Sequence, residues 1–188
     1  MSITKKCRWA LGSPLEEEYH DNEWGQPKYD DAILFEMLVL EGAQAGLSWR
    51  TILYRRKGYR AAFDGFNVQK VAQYNEEKQE ELRNNPAIIR NRLKIKSAVN
   101  NAQKFIEVQK EFGSFSQYFW NFTNHKPIIN KRKTMSDVPA TTELSDKISK
   151  DMKKRGFSFV GSTIIYAYMQ SIGMINDHLL TCPAYGKH

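Results

Sequence analysis

The 188-residue chain has no apolar run near the roughly 18–20 residues that a membrane-spanning helix needs. It also has no internal repeat, no low-complexity tract and no linker long enough to divide it. Lys5, Lys6 and Arg8 are followed by no apolar stretch, so a secretory signal peptide is not expected. In such a chain, a pair of cysteines more often serves as thiols or metal ligands than as a disulfide. We therefore expect a single cytoplasmic domain over residues 1–188.

Basic residues are in excess, with 28 Lys and Arg against 21 Asp and Glu and a net charge of +7. This excess favours an anionic partner, nucleic acid first and an anionic membrane surface second. A merely basic protein without such a partner explains the charge equally well. With 41% hydrophobic and 12% aromatic residues, the chain can bury a sizeable core, which argues against wholesale disorder.

Helical periodicity recurs along the chain, whereas no convincing alternation of the kind that strands show is present. The pattern predicts helices over residues 31–46, 95–106, 144–152 and 161–172. Residues 124–142 contain Pro127 and Pro139 and are the best candidate for a loop. The basic run Lys131-Arg132-Lys133 lies in this loop, and phosphate attraction is the only role the pattern suggests for it. We predict an all-α fold.

Two segments are typical of helix pairs joined by a tight connection. The second of them crosses residues 156–161, and the first runs from about residue 76 to residue 105 with five basic residues, Arg83, Arg90, Arg92, Lys94 and Lys96. Such hairpins can present the N–H groups of a helix start to a phosphate. A solvated basic face with an ordinary helix connection is the alternative for either segment.

One carboxylate is predicted to lie on the buried side of the helix over residues 31–46. Leu34, Met37 and Leu38 form an apolar stripe, and the next position on that stripe is Glu41. Burial there would raise the pKa of Glu41 and make it a candidate for function. A structural carboxylate that caps a helix or pairs with an arginine is the alternative. Glu36 falls on another side and is predicted to be an ordinary surface residue.

Aromatic residues flank this carboxylate in the sequence. Trp9, Tyr19 and Trp24 come from the amino-terminal segment, and Trp49 follows the predicted helix. Rings around one buried carboxylate suit a flat, cationic ligand, because they offer stacking and cation–π attraction. Aromatic residues that only pack in the core are the alternative.

Both cysteines and two of the four histidines lie near the chain ends, at Cys7, His20, His178 and Cys182. His178 and Cys182 are four residues apart and would share one face of a helical turn. Two thiolates and two imidazoles would form a closed tetrahedral zinc site, with no open position for a hydrolytic water. A zinc hydrolase is therefore disfavoured. The residues alone also permit a Cys7–Cys182 disulfide or unrelated side chains.

Motifs spread over nearly the whole chain occur in the order found in one known family: residues 7–9 (CRW), 19–25 (YHDNEWG), 40–42 (LEG), 44–49 (QAGLSW), 88–90 (IIR), 124–125 (NH) before Pro127, 154–157 (KRGF), 159–161 (FVG) and 176–178 (NDH). In these motifs the chain resembles the type I 3-methyladenine DNA glycosylases, which are bacterial base-excision repair enzymes. The resemblance implies a helix-hairpin-helix fold whose chain ends are joined by one structural zinc on Cys7, His20, His178 and Cys182.

The resemblance also implies the roles of the pocket residues. Trp9 and Trp49 match the tryptophans that stack on the base, and Tyr19 matches a tyrosine that contacts it. Glu41 matches the pocket carboxylate and is our candidate catalytic residue, although the family lacks the catalytic aspartate of related glycosylases. Where family members often have an aromatic residue, this chain has Glu16, so one pocket wall is expected to be more open or more anionic.

The function that the resemblance implies is monofunctional excision of cationic 3-methyladenine from alkylated duplex DNA. We expect the protein to act as a monomer in the bacterial cytoplasm. Leu47 matches the residue thought to wedge into the duplex where the lesion leaves, and Arg90, Arg92 and Lys94 are expected to bind DNA. The alternative from another class is a DNA-binding protein that recognises damage without cutting. Such a protein would not need Glu41.

Overall fold

The structure is a computed structural model that describes residues 6–187. Residues 1–5, which contribute Lys5 to the segment judged not to be a signal peptide, lie outside the described residues. The described part contains nine α-helices: α1 (Pro14–Asn22), α2 (Asp31–Ala43), α3 (Trp49–Ala62), α4 (Val68–Val71), α5 (Glu76–Asn84), α6 (Arg92–Phe112), α7 (Phe115–Trp120), α8 (Glu143–Lys154) and α9 (Ser162–Ser171). Short 3-10 helices cover Arg8–Gly12, Asp64–Phe66, Asn121–Thr123 and Met135–Asp137.

The predominantly helical structure confirms the predicted all-α class, and the four predicted helices correspond to α2, α6, α8 and α9. The first of them is shorter than predicted, because α2 ends at Ala43 and the chain turns before Gly46, whose φ is +74°. Glycine tolerates that backbone conformation, which L side chains rarely adopt. Within residues 6–187, no helix is both long and apolar enough to span a bilayer.

Two short strands occur where none was predicted, β1 (Ile128–Ile129) and β2 (Ile175–Asn176). They pair in parallel, with Ile128 opposite Ile175. Two residues are too few to produce the alternating pattern by which strands are recognised in a sequence. The pair attaches the predicted loop over residues 124–142 to the segment that follows α9.

Helix α2 is the central helix, and residues 34–43 are all buried. It packs against α3, α6, α7 and α9. Its start is fixed twice: Asp30 caps it by accepting from the N–H groups of Ala32 and Ile33, and Asp31 accepts from the N–H groups at the start of α7. Because α2 is held at its start and buried along its length, the position of Glu41 near its carboxyl end is fixed.

The prediction that Glu36 is an ordinary surface residue is wrong. Glu36 is 8% exposed and accepts hydrogen bonds from Arg56 at 2.7 Å and from Arg60 at 2.8 Å. Arg56, itself buried on α3, also donates to Glu23 at 2.8 Å. The physical reason is that α3 covers this side of α2 and supplies the positive charge that a buried carboxylate requires.

The two predicted helix pairs are present as α5–α6 and α8–α9. In the second pair, Asn101 of α6 holds the connection: its Nδ2 donates to the Ser158 carbonyl at 2.8 Å, and its Oδ1 accepts from the Ser158 N–H at 2.9 Å. The connection contains Gly156 and Phe159 at positive φ, +89° and +54°. The tight turn is therefore fixed by α6 and not only by its own two helices.

Candidate active site and metal centre

A cavity of about 480 Å³ lies at the carboxyl end of α2, between the 3-10 helix Arg8–Gly12, α1, α3 and α9. The cavity is lined by all four residues that were predicted to bind the base, Trp9, Tyr19, Glu41 and Trp49. Glu16 and Trp24, which the sequence analysis also considered for this site, line the cavity as well. The sequence analysis did not single out the remaining lining residues for this site, which are Gln44, Ser48, Arg50, Met135, Val138, Ala167 and Gln170.

The aromatic walls of the cavity stand at angles to one another. The ring centroids of Trp9 and Tyr19 are 6.3 Å apart at 56°, and those of Tyr19 and Trp49 are 5.2 Å apart at 45°. Trp24, which also lines the cavity, packs edge-on against Trp9 with ring centroids 5.1 Å apart. Rings arranged in this way give a flat ligand several π surfaces to contact.

Two polar groups of these walls are buried without a partner among the described residues: the Tyr19 hydroxyl and the Trp49 indole N–H. Burial raises the pKa of Tyr19, so its hydroxyl keeps its proton and is a potential donor. A buried donor without a partner costs about 1–3 kcal/mol, and buried polar groups are rarely left in this state. Both groups therefore indicate a ligand with polar atoms.

Glu41 has the environment that the sequence predicts. It is 5% exposed, and burial raises its pKa to about 8, with the Ser171 side chain acting in the opposite direction. In the free protein at neutral pH the carboxyl group is thus mainly protonated. A cationic ligand in the cavity would favour the carboxylate form, since an opposite charge nearby lowers the pKa of an acid.

The turn between α2 and α3 carries Leu47, whose side chain is 39% exposed. The Leu47 N–H donates to the Gln44 carbonyl at 2.7 Å, and Ser48 caps α3 by accepting from the Thr51 N–H. The predicted wedge residue is therefore an exposed apolar side chain on a tight turn, two residues before Trp49 of the cavity wall.

The predicted basic DNA-binding residues lie at the start of α6 or, for Arg90, just before it. Arg90 and Arg92 are exposed. Lys94 is half-buried, and its ammonium donates to the carbonyls of Ala43 and Ala45 at 2.8 and 2.6 Å, while burial lowers its pKa. A cation at the carboxyl end of a helix interacts favourably with the helix dipole. Lys94 therefore connects α6 to the end of α2 and to the turn that carries Leu47.

In the basic run within the predicted loop, Arg132 has a structural partner. Its Nε donates to Asp177 at 2.8 Å, and Asp177 is fully buried. Asp177 also accepts from Gln170, which lines the cavity, and from Asn130. Burial opposes ionisation of Asp177, but hydrogen bonds from the Tyr166 hydroxyl and then from these donors lower its pKa overall. The side chains of Lys131 and Lys133 are exposed.

The four predicted metal ligands meet in one buried cluster. Their ligand atoms all lie within 4.8 Å of one another. His178 Nδ1 is 3.1 Å from His20 Nε2 and 3.8 Å from the Cys182 sulfur, and the Cys7 sulfur is 3.9 Å from His178 Nδ1. A tetrahedral zinc with two nitrogen and two sulfur ligands has edges of about 3.3–3.8 Å. The cluster fits a metal ion, and both cysteines are free thiols.

The second nitrogen of each histidine is also held. His20 Nδ1 contacts Asp21 at 2.8 Å, and His178 Nε2 contacts the Trp24 carbonyl at 3.0 Å. Lys6 in turn donates to Asp21 at 2.7 Å. Outer partners of this kind fix the ring orientation of metal-binding histidines. Sequence reasoning missed Asp21 in this role, although its position directly after His20 was a usable signal.

A larger groove of about 660 Å³ lies between α5 and α6. Charged and amide side chains, with Ile95 and Val99, form most of its surface, and none of the four predicted base-binding residues lies in it. Size alone would favour this groove. We take the smaller cavity as the candidate active site, because the buried carboxyl group and the two unpartnered donors lie there.

A family model described as methyladenine glycosylase matches residues 9–185 of this chain. The chain belongs to this family. Membership is consistent with curated relatives: the chain is 45% identical to DNA-3-methyladenine glycosylase 1 of Escherichia coli (strain K12) over 181 residues, 96% of this chain and 97% of the relative. It is 43% identical to DNA-3-methyladenine glycosylase of Haemophilus influenzae over 96% of this chain and 98% of the relative.

Solved structures of the family have the same fold. The structure of 3-methyladenine DNA glycosylase I from Staphylococcus aureus, described as showing the basis of 3-methyladenine recognition, superposes with a TM-score of 0.95. The two chains are 35% identical, and the match covers 99% of each. The fold of the methyladenine glycosylases therefore extends over the whole described chain.

Proposed function

We propose that this protein is a DNA-3-methyladenine glycosylase I, which hydrolyses the N-glycosyl bond of cationic 3-methyladenine in alkylated duplex DNA. The observation that carries the proposal is the cavity in which Glu41 lies beside three tryptophans and Tyr19, with unpartnered donors on Tyr19 and Trp49. The chain belongs to a family whose relatives are named as 3-methyladenine glycosylases, which supports 3-methyladenine as the lesion.

The positive charge of the base is the property that distinguishes the lesion from adenine. Methylation at N3 leaves adenine cationic, and a cation is attracted to the faces of Trp9 and Trp49. Glu41 loses its proton when the cation enters, so that the cationic base forms an ion pair with a carboxylate in a buried site. Tyr19 offers its unpartnered hydroxyl to the edge of the base. Neutral adenine would gain neither the cation–π attraction nor the ion pair.

Bond cleavage needs little acid catalysis, because the base leaves as a neutral molecule. The electron pair of the glycosidic bond moves to the base and cancels its charge, while a water molecule adds to C1′ of the sugar and releases one proton to solvent. The Glu41 carboxylate, our proposed catalytic group, stabilises the positive charge that the sugar gains as this bond breaks.

The DNA-binding face comprises the turn with Leu47, the start of α6 and the α8–α9 hairpin. Leu47 fills the gap that the flipped nucleotide leaves, at a cost in unstacking of a few kcal/mol. Arg90 and Arg92 contact phosphates, and Lys94 binds DNA while it holds the Leu47 turn in place. The α8–α9 connection, fixed by Asn101, would supply the helix-hairpin-helix backbone contacts of the fold.

The Cys7–His20–His178–Cys182 cluster is proposed to hold one structural zinc per chain. The bound ion would join the amino-terminal segment to the segment after β2 and would take no part in hydrolysis, because four protein ligands close its coordination sphere. Removal should lower stability, since the free energy of metal binding contributes to folding. We further propose that residues 1–188 form one domain that acts as a monomer in the bacterial cytoplasm.

The function is tested by incubating the protein with methylated duplex DNA and assaying the supernatant for free 3-methyladenine by chromatography. We expect prompt release by the wild type and sharply reduced release by Glu41→Gln, with nonspecific DNA binding nearly unchanged. A folded, metal-loaded wild type that binds DNA but releases no base would support the damage-binding alternative. Release by Glu41→Gln at the wild-type rate would refute the role of Glu41.

A further inference from the structure

The carboxylate of Glu16, which lines the cavity, is held by two donors. Arg50 Nε donates to Glu16 Oε2 at 2.8 Å, and the Ser13 hydroxyl donates to the same oxygen at 3.0 Å. Glu16 is 6% exposed, whereas half of the Arg50 side chain is exposed. The positive charge of Arg50 balances the Glu16 carboxylate, so this wall is not simply the more anionic surface that position 16 suggested.

The guanidinium of Arg50 also lies against Gly12. A Cβ added at Gly12 would be 1.8 Å from Arg50 Nη2 and 2.6 Å from Glu16 Oε2. A side chain at position 12 would therefore displace the guanidinium or the Glu16 carboxylate from these positions. Because Gly12 ends the 3-10 helix that carries Trp9, Arg50 contacts that helix as well as α1.

The Glu16–Arg50 pair joins the three elements that carry the aromatic walls. Trp9 lies on the 3-10 helix Arg8–Gly12, Tyr19 lies on α1 with Glu16, and Trp49 directly precedes Arg50 on α3. Glu41 belongs to α2, with which neither member of the pair forms a hydrogen bond or ion pair in the described part of the chain. The rings and the carboxyl group of the cavity are therefore positioned by different contacts.

We propose that Glu16 and Arg50 are positioning residues for base binding: their ion pair sets the spacing of the Trp9, Tyr19 and Trp49 rings and thereby the affinity for the methylated base. The proposal rests on the proposed function. The pair contributes little to the bond-breaking step, which depends on Glu41.

The test uses four variants: Glu16→Gln, Arg50→Gln, the double variant and Gly12→Ala. The dissociation constant of free 3-methyladenine is measured by tryptophan fluorescence, and the single-turnover rate is measured at saturating protein on methylated DNA. We expect each variant to weaken base binding by about fivefold, the size of one charge-assisted hydrogen bond in a partly exposed pair. The double variant should bind no worse than the weaker single variant, because both remove the same contact.

Two controls remove the same charges from the same helices outside the cavity. Glu18→Gln on α1 and Arg55→Gln on α3 should bind the base within about twofold of the wild type. The saturating single-turnover rate and the melting temperature of the pair variants should stay near those of the controls. A general structural defect would instead lower the rate, the affinity and the melting temperature together, which would overturn the proposal.

The direction of the two single variants separates positioning from simple electrostatics. If the pair acted only by charge, binding of the cationic lesion in DNA, measured as the protein concentration that half-saturates the single-turnover rate, would weaken in Glu16→Gln and strengthen in Arg50→Gln. Positioning predicts that both weaken it, so opposite signs would overturn the proposal, as would affinities equal to those of the controls. A wild type that releases no 3-methyladenine would refute the proposed function itself, whereas an active wild type with unaffected variants would refute only this inference.

Discussion

Replacing Glu41 with glutamine is expected to stabilise the protein, and the gain should grow as the pH rises from about 5 to 8. Burial raises the pKa of Glu41 to about 8 in the folded protein, whereas its ordinary value is 4.5. Between these values the folded state retains a proton that the unfolded state has lost, so the stability of the wild type falls with increasing pH. Glutamine has nearly the same shape and does not titrate.

The magnitude follows from the two pKa values. Each pKa unit corresponds to about 1.4 kcal/mol, so the buried carboxyl group costs about 3 kcal/mol at pH 7 and close to nothing at pH 4.5. For a chain of this size, that gain would raise the melting temperature by about 6–12 °C at pH 7. A loss of folding stability of this kind is expected for a residue of a binding site, which stabilises the bound ligand and not the ligand-free protein.

The assay is thermal unfolding of wild type and Glu41→Gln from pH 5 to pH 8, monitored by circular dichroism. Glu36→Gln is the matched control, since the same substitution on the same helix removes a carboxylate that two arginines neutralise. It should destabilise the protein by about 1–3 kcal/mol, because Arg56 loses a buried partner. A Glu41→Gln variant that is no more stable than the wild type at pH 7, or whose gain does not change with pH, would refute the reasoning.

Three further predictions concern the metal, the Leu47 turn and the DNA surface. Elemental analysis should find one zinc per wild-type chain and much less zinc in Cys182→Ser, and the melting temperature of this variant should be lower than that of the wild type. Equal zinc contents in the two proteins would contradict the assignment. Lys94→Met removes one hydrogen bond to the end of α2 and one to the turn that carries Leu47. It should slow excision several-fold and lower the melting temperature by about 2–4 °C, and an unchanged single-turnover rate would argue against a role in holding the turn. Arg92→Gln should reduce the slope of log affinity against log salt by about 0.9, the loss of one phosphate contact, and an unchanged slope would remove Arg92 from the interface.

The sequence was sufficient for features that depend on periodicity or on residue type. The stripe of Leu34, Met37 and Leu38 placed Glu41 on the buried side of α2 because helical geometry fixes which positions share a face. The family motifs allowed us to predict that the four metal ligands meet, and that the three aromatic residues line one cavity, although the chain ends are far apart in sequence. Contacts between distant segments that recur in a fold are read from motifs and not from local pattern.

Other features depend on which helix covers which surface, and no local pattern contains that information. Glu36 was taken for a surface residue because its burial follows from the packing of α3 on α2. The partners of Lys94 and Arg132 are a helix end and a buried carboxylate, each remote in sequence. The Glu16–Arg50 contact lies against Gly12, and three residues in three elements give no periodic signal.

The cavity at the end of α2 is proposed to release a cationic adenine from DNA. The most direct measurement is a time course of free bases in the supernatant, with methylated and unmethylated duplex DNA of the same sequence incubated in parallel. We predict that 3-methyladenine accumulates from the methylated duplex and that no adenine accumulates from either. Absence of 3-methyladenine, from protein that is folded, metal-loaded and bound to the DNA, would contradict the claim.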